Sequence, residues 1–246
     1  PEVTAEADAA ALQEYFTFQN VLSSRTLFRN IFLLPAGHYF LLERGGEQAA
    51  PTAYWDFDLS RVDERMDEEE CARELTRLFR AAVERQLMSD VPVGAYLSGG
   101  MDSGSITATA ATAFPGLHTF TAGFDVSGAE ASDREFDERA SARVLAEKFG
   151  TTHHEMEVRP EDMAQLFSRL MVSIEEPRLG MCYQNYRVAE LAGKHVKVAL
   201  SGAGGDELFA GYPWRYESVA GARSEKEFTE TFFGWWQRLA PQNEHE

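Results

Sequence analysis

Cysteine is nearly absent from this chain: two residues, Cys71 and Cys182, in 246. They lie far apart and form neither a CxxC pair nor a His-Cys ligand pattern. That leaves a disulfide framework, a zinc ribbon and a dithiol redox motif without their residues, and the expectation is two buried free thiols. Basic residues are also scarce, with 23 Lys and Arg against 40 Asp and Glu for a net charge of −17. Phosphate-backbone affinity comes from clustered Lys and Arg, so no nucleic acid and no anionic membrane is expected as a partner. No apolar run approaches the roughly 20 residues that span a bilayer, and no basic stretch followed by an apolar one opens the chain. The chain therefore reads as cytoplasmic, with small molecules or proteins as partners. It also lacks an initial Met: Pro1 begins an alanine-rich acidic stretch, as in a piece cut from a longer polypeptide.

What is present is ample apolar material, 44% hydrophobic and 12% aromatic, enough to bury the core of one large domain or two small ones. In residues 26–57 two short apolar runs, "TLFRNIFLL" and "YFLLE", flank the turn Pro35-Ala-Gly-His38 and predict a hairpin. The acidic stretch "DFDLSRVDERMDEEE" then separates this β-rich region from an alternating α/β pattern. The domain boundary falls near residue 60, giving segments 1–60 and 61–246.

Asp67 with Glu70 three residues later caps a helix whose apolar face is read as Cys71, Leu75, Leu78 and Ala82. A strand follows at Val93–Leu97, then the small-residue helix "SITATAATAF" and a strand at "LHTFTAGF". Ser132 with Glu135 predicts a capped helix with a stripe of Phe136, Ala140, Val144, Leu145 and Phe149, stopped by Gly150. The strand "THHEMEV", a helix carrying Met163, Leu166, Phe167, Leu170 and Ile174, and the strand "HVKVALS" complete the series. Strands alternating with helices of this length indicate a doubly wound parallel sheet.

Two turns echo each other. "AYLSGGMDS" and "VALSGAGGDE" are each an apolar strand followed by Leu-Ser-Gly, another glycine and an acid. Ligands of open parallel sheets sit beyond the carboxyl ends of the strands, so both turns occupy one edge and can face one ligand. In the first, Gly99 and Gly100 allow a tight turn and close approach, and the amides of the loop and the following helix N-terminus cradle an anion. A Walker loop would add a lysine; this one carries Asp102 with Ser98 and Ser103. An aspartate beside polyphosphate needs a cation between them, and Mg²⁺ held by Asp102, with Asp206 as a further ligand or supporting group, satisfies both charges.

Ser98-Gly-Gly-Met-Asp-Ser103 resembles the pyrophosphate loop of the ATP pyrophosphatases. "LSGAGGDELFAGYPWRY" resembles the second signature of the glutamine-dependent asparagine synthetases, and "LPAGHYFLLERGG…YWDF" the closing hairpin of that family's glutaminase domain. Together these cover most of the chain in the family's order. The resemblance implies an α/β domain of the ATP-pyrophosphatase (adenine nucleotide alpha hydrolase-like) type after a short β-rich glutaminase remnant, with ATP and Mg²⁺ as cofactors. It implies that Ser98, Gly99, Gly100, Asp102 and Ser103 hold the pyrophosphate. Backbone at Tyr96, Leu97, Ala122, Ser201 and Gly202 would meet the adenosine, and Asp206 would share the Mg²⁺ and catalytic role with Asp102. The implied reaction activates the side-chain carboxylate of aspartate, or of a related carboxylic acid, as an acyl-adenylate with release of PPi. Ammonia from a glutaminase domain absent from this chain then displaces AMP. A homodimer is compatible with this reading.

Three departures stand out. Ala203 occupies the position where the family carries an acid, which leaves the acceptor open between aspartate and another carboxylic acid bound for amide or lactam formation. Residue 1 is Pro, not the nucleophilic Cys of the glutaminase. None of Lys148, Lys194, Lys197 and Lys226 stands in the context of the family's catalytic lysine. A nucleotide-binding or assembly module without turnover is the reading of a different class.

Other features have plainer explanations. Asp206 and Glu207 can cap the helix "DELFAGY", with a cation or phosphate role favoured for Asp206 and capping for Glu207. His153 and His154 are adjacent on a strand and so point to opposite faces, which favours a structural role over a metal site. Tyr212, Trp214 and Tyr216 read as packing residues ahead of a base-stacking platform. Glu175 and Glu176 end a helix before Pro177, and the acidic run at 63–70 is a solvated helix start.

Overall fold

The computed structural model describes residues 5–45, 50–58, 60, 66–126, 137–176 and 181–236. They form two compact units, Pro1–Arg65 with Trp214–Glu246, and Met66–Pro213. In chain order the first unit begins with α1 (Ala9–Phe18), β1 (His38–Tyr39) and β2 (Thr52–Ala53). The second runs α2 (Glu68–Gln86), β3 (Val93–Tyr96), α3 (Met101–Ala113), β4 (His118–Phe124), α4 (Arg139–Phe149), β5 (Thr152–Val158), α5 (Pro160–Ile174), α6 (Cys182–Ala192), β6 (Val198–Leu200) and α7 (Gly205–Phe209). α8 (Pro213–Glu217) and α9 (Glu225–Trp236) follow.

In the first unit the Asp8 side chain caps α1 through the Ala11 N–H and pairs with Arg25 at 2.9 Å. The expected hairpin is replaced by a different pairing. Residues 25 and 32 bridge each other across a turn in which Asn30 has φ +63°, while His38 and Tyr39 pair with Ala53 and Thr52. The Gly37 carbonyl accepts from the Tyr54 and Trp55 N–H groups, so the turn at Pro35–His38 leads into a ladder with residues 52–53 and not back onto 26–34. Gly37 has φ +67°, and a Cβ there would collide with the Trp55 carbonyl, which is why glycine holds that position.

The second unit is the expected parallel α/β sheet, with strand order β5-β4-β3-β6. Gly94 aligns with His118 and with Ala199, and the β4–β5 register runs without a break from His118↔Thr152 to Phe124↔Val158. Residues of opposite parity on each strand serve two helical layers, as a doubly wound sheet requires. Phe120, Ala122 and Val158 pack with Leu166 and Leu170 of α5 and Tyr183, Val188 and Ala192 of α6. On the other side Ala95 meets Val83, Leu87 and Ala110, and Leu97 meets Ala142 and Ala146 of α4.

Two helix faces differ from the periodicity reading. In α2 the residues turned inward are Phe79 and Val83, followed by the C-cap Leu87, while Leu75 and Leu78 are about half exposed and Cys71 is exposed, contrary to the expected buried thiol. A helix of 19 residues is about 28 Å long but β3 has four residues, about 13 Å, so only the C-terminal half of α2 finds a partner on that layer. In α4 the inward stripe is Ala142, Leu145, Ala146 and Phe149, with Val144 exposed. Small residues win there because α4 lies against the loop after β3: a Cβ on Gly99 would come within 2.7 Å of the Ser141 Cβ. In α5, Leu166 and Leu170 are buried as expected, whereas Met163 and Phe167 are exposed. Asp67 caps α2 through the Glu70 N–H at 2.8 Å, and Gly150 ends α4 at φ +64°, both as expected. Ser132, Glu135, Phe136 and Pro177 lie outside the described residues.

Candidate functional site

β3 feeds the first loop. The Leu97 N–H donates to the Phe120 carbonyl at 3.0 Å, carrying the ladder one residue past Tyr96, and the Leu97 carbonyl accepts from the Thr121 hydroxyl. The chain then turns through Ser98, Gly99 and Gly100 into α3. Ser103 Oγ accepts from the Ser98 N–H at 3.0 Å and lies 2.9 Å from Ser98 Oγ, which in turn accepts from the Gly100 N–H at 3.1 Å. Two serines thus fold the loop onto the first turn of α3. Gly100 is the N-cap of that helix and supplies no side-chain cap, so the first-turn amides remain oriented toward the sheet edge where an anion would sit. Asp102 stands in the same first turn, half-buried.

β6 delivers the second loop to the same edge. Ser201 Oγ accepts from the Ala203 N–H at 3.3 Å, Gly204 takes φ +110°, and the short helix α7 begins at Gly205. The backbone N–H of Asp206 donates to Asp102 Oδ2 at 3.1 Å. The approach depends on missing side chains. A Cβ on Gly205 would fall inside the Asp102 carboxylate, and one on Gly202 would come within 2.8 Å of the Ser103 nitrogen. Glu207 Oε2 accepts from the Gly204 N–H at 3.0 Å and Oε1 from the Tyr212 hydroxyl at 2.9 Å, the capping role expected of it.

The sequence-predicted positions therefore divide. Ser98, Gly99, Gly100, Asp102 and Ser103 on one loop and Ser201, Gly202 and Asp206 on the other meet at the carboxyl ends of β3 and β6. Tyr96 is half-buried, and burial raises its phenol above the usual range. Leu97 and Ala122 are buried, so only their backbone could meet a ligand. The Ala122 carbonyl already accepts from Gln184 Nε2 at 2.7 Å, and Gln184 Oε1 is buried without a hydrogen-bond partner. Gln184 was not singled out from the sequence; nothing local marks a glutamine in the first turn of α6.

His153 and His154 point to opposite faces as expected. The His153 ring bonds Thr119 Oγ1 at 2.9 Å and lies 3.2 Å from Glu155, which Arg143 pairs at 2.7 Å. Burial holds His153 below the ordinary imidazole range, against the pull of Glu155. Trp214 is exposed and Tyr216 stacks on Phe232 with centroids 6.0 Å apart.

The geometry is that of a parallel α/β domain with two strand-to-helix turns joined at its carboxyl edge. Comparison with known proteins names the family: residues 74–244 match the family model described as asparagine synthase, and the chain belongs to that family. Asparagine synthetase (glutamine-hydrolyzing) 1 of Bacillus subtilis is 33% identical over 84% of this chain and 31% of its own length. Asparagine synthetase (glutamine-hydrolyzing) 3 of the same organism is 30% identical over 87% of the chain and 36% of its own length. A protein of Mycobacterium bovis provisionally given the asparagine synthetase name is 36% identical over 84% and 31%. The chain spans about a third of the length of the curated relatives it matches.

Proposed function

We propose that this chain supplies the ATP-binding, pyrophosphate-releasing part of a glutamine-hydrolyzing asparagine synthetase. The observation that carries the reading is the Asp102–Asp206 hydrogen bond, which joins the two family signatures into one site on a sheet edge. The α3 N-terminus presents amides to the departing pyrophosphate, and Ser98 and Ser103 hold the loop in the shape that aims them. Mg²⁺ fits this donor set, a half-buried carboxylate beside an anion cradle with no lysine in the loop; it would supply the positive charge that offsets the charge growing on the departing pyrophosphate. Asp102 would hold it, with Asp206 as a further ligand or supporting group. In this reading adenosine lies along the backbone of Tyr96, Leu97 and Ala122 and of Ser201 and Gly202. The aspartate side-chain carboxylate accepts the adenylyl group of ATP as PPi leaves, and ammonia from a glutaminase region then takes the acyl group, releasing AMP and forming the amide. Residues 1–60 are then the end of that glutaminase region, with 61–246 belonging to the synthetase. A cytoplasmic location and a homodimer complete the proposal; among the described residues no helix is long and apolar enough to cross a membrane.

Aspartate-dependent exchange of labelled pyrophosphate into ATP, with Mg²⁺, tests the reading in the parent polypeptide. Exchange with aspartate supports it. Exchange only with other carboxylic acids favours the second reading, a related amide- or lactam-forming synthetase, which rests on Ala203 standing where the family carries an acid. No exchange with any acid, alongside retained ATP binding, leaves a nucleotide-binding module.

A further inference from the structure

The amino-terminal ends of the strands, opposite the edge that carries the two loops, bring three imidazoles together. His118 opens β4, His154 is the third residue of β5, and His195 lies in the connection from α6 into β6. His118 and His154 sit on the same face of adjacent strands, the face that also carries Phe120, the register partner of His154. His118 Nδ1 is 2.9 Å from His154 Nε2. The His195 ring stacks on His154 with centroids 3.9 Å apart and faces His118 at 5.6 Å. One nitrogen from each ring lies within 4.8 Å of the other two. Among the described residues no other group of three or more His, Cys, Asp or Glu brings its ligand atoms together in this way.

An apolar ring lies beneath the cluster. Phe120 floors the cluster, 5.2 Å from the His154 ring and 5.9 Å from that of His195. A Cβ on Gly94 of the neighbouring strand would strike the Phe120 ring at 2.8 Å, so the glycine admits this floor. Three neutral imidazoles carry three N–H groups and three lone pairs, and the single N–H···N bond here consumes one of each. Two lone pairs remain in a cluster whose outer member, His195, is exposed.

We propose that His118, His154 and His195 bind a borderline divalent first-row cation, with Zn²⁺ as the reference ion and solvent completing the coordination. Nitrogen ligands at 2.0–2.1 Å from a tetrahedral Zn²⁺ stand about 3.3 Å apart. The observed spread of up to 4.8 Å closes when exposed His195 swings off its stack on His154 and the His118–His154 bond opens to release the third lone pair. All-imidazole donors take Zn²⁺, Co²⁺, Ni²⁺ or Cu²⁺ in preference to Mg²⁺ or Ca²⁺, which require oxygen ligands. The site is thus chemically orthogonal to the phosphate edge. Its ligands come from β4, β5 and the lead-in to β6, so the ion would tie the α6–β6 connection to the sheet and raise stability by linkage.

Calorimetric titration of the chain with Zn²⁺ alone, paired with melting curves, is the test. The expected result is binding with a rise in Tm that Mg²⁺ at the same concentration does not give. His195→Asn, an exposed change that leaves the fold intact, is expected to weaken Zn²⁺ binding at least about 10-fold, and His118→Ala to abolish the rise in Tm. His38→Asn, in the other unit, is expected to change neither. Absence of Zn²⁺ binding below millimolar concentration overturns the proposal. So does equal affinity in wild type and His195→Asn, or a loss that follows His38 instead.

Discussion

The Asp102 carboxylate accepts a 3.1 Å hydrogen bond at Oδ2 from the backbone N–H of Asp206. The first residue lies in the first turn of α3 and the second in α7, on loops that leave different strands of one parallel sheet. One carboxylate oxygen is thereby anchored to the backbone of the second loop.

Gly205→Ala places a methyl group where the Asp102 carboxylate now lies. The loops must separate, and Mg-pyrophosphate affinity is expected to fall roughly 10- to 100-fold, the scale of losing a supporting contact to a metal ligand. Gly221→Ala, whose added Cβ meets nothing within 4 Å, is the control and should leave affinity unchanged. Titration calorimetry with both variants checks the pair.

Asp206→Asn retains the backbone N–H that Asp102 uses, so the fold is expected to survive with little change in Tm while Mg-dependent pyrophosphate binding weakens. Glu207→Ala gives the reverse pattern. It removes the acceptor for the Gly204 N–H and the Tyr212 hydroxyl, costing about 1 kcal/mol of stability without a Mg-dependent effect. Melting curves with and without Mg-pyrophosphate separate the two behaviours.

Leu170, 1% exposed on α5, is central to the layer formed by Phe120, Val158 and α6. Leu170→Ala is expected to cost about 2–5 kcal/mol, whereas Val172→Ala, two residues on and 77% exposed, should cost less than about 0.5 kcal/mol. Urea unfolding of both variants measures the contrast.

Arg139 Nη2 pairs with Asp137 at 2.7 Å, and the same guanidinium donates to the Phe124 carbonyl at the end of β4. Arg139 beside it holds the Asp137 carboxyl below the usual range, more than burial raises it. A depressed folded pKa means that this contribution is complete above the unfolded value of about 3.9 and is lost as pH falls through the folded value. Asp137→Asn is expected to cost about 1–3 kcal/mol near pH 7 and to flatten the acid limb of stability below about pH 4. Superimposable stability–pH curves for wild type and variant would contradict the assignment.

Much of the second unit was legible because its signals are local. β5 coincides with "THHEMEV", Asp67 and Gly150 cap the helices they were expected to cap, and the repeated Leu-Ser-Gly turns occupy one edge. The helix faces were less legible. Periodicity marks an apolar stripe on α2 but not how far the sheet beneath it extends, and the half of α2 carrying Leu75 reaches beyond four-residue β3. The hairpin at 26–57 was misassigned because Gly37 pairs its carbonyl with residues 54 and 55, beyond the nearer apolar run. His154 could be placed on one face from strand alternation, yet its companions His118 and His195 come from other elements, a coincidence that only the strand order creates. Gln184 escaped for the same reason, since its partner at Ala122 is set by how α6 lies on β4.

The central claim is that the two loops form a single Mg-dependent pyrophosphate site with Asp102 at its junction. Calorimetric affinity for pyrophosphate, with and without Mg²⁺, in wild type and in Asp102→Asn tests it most directly. The account predicts Mg²⁺-dependent binding by the wild-type chain and a loss of roughly 10- to 100-fold in the variant at nearly unchanged Tm. Equal affinity in the two proteins, or wild-type binding indifferent to Mg²⁺, would contradict it.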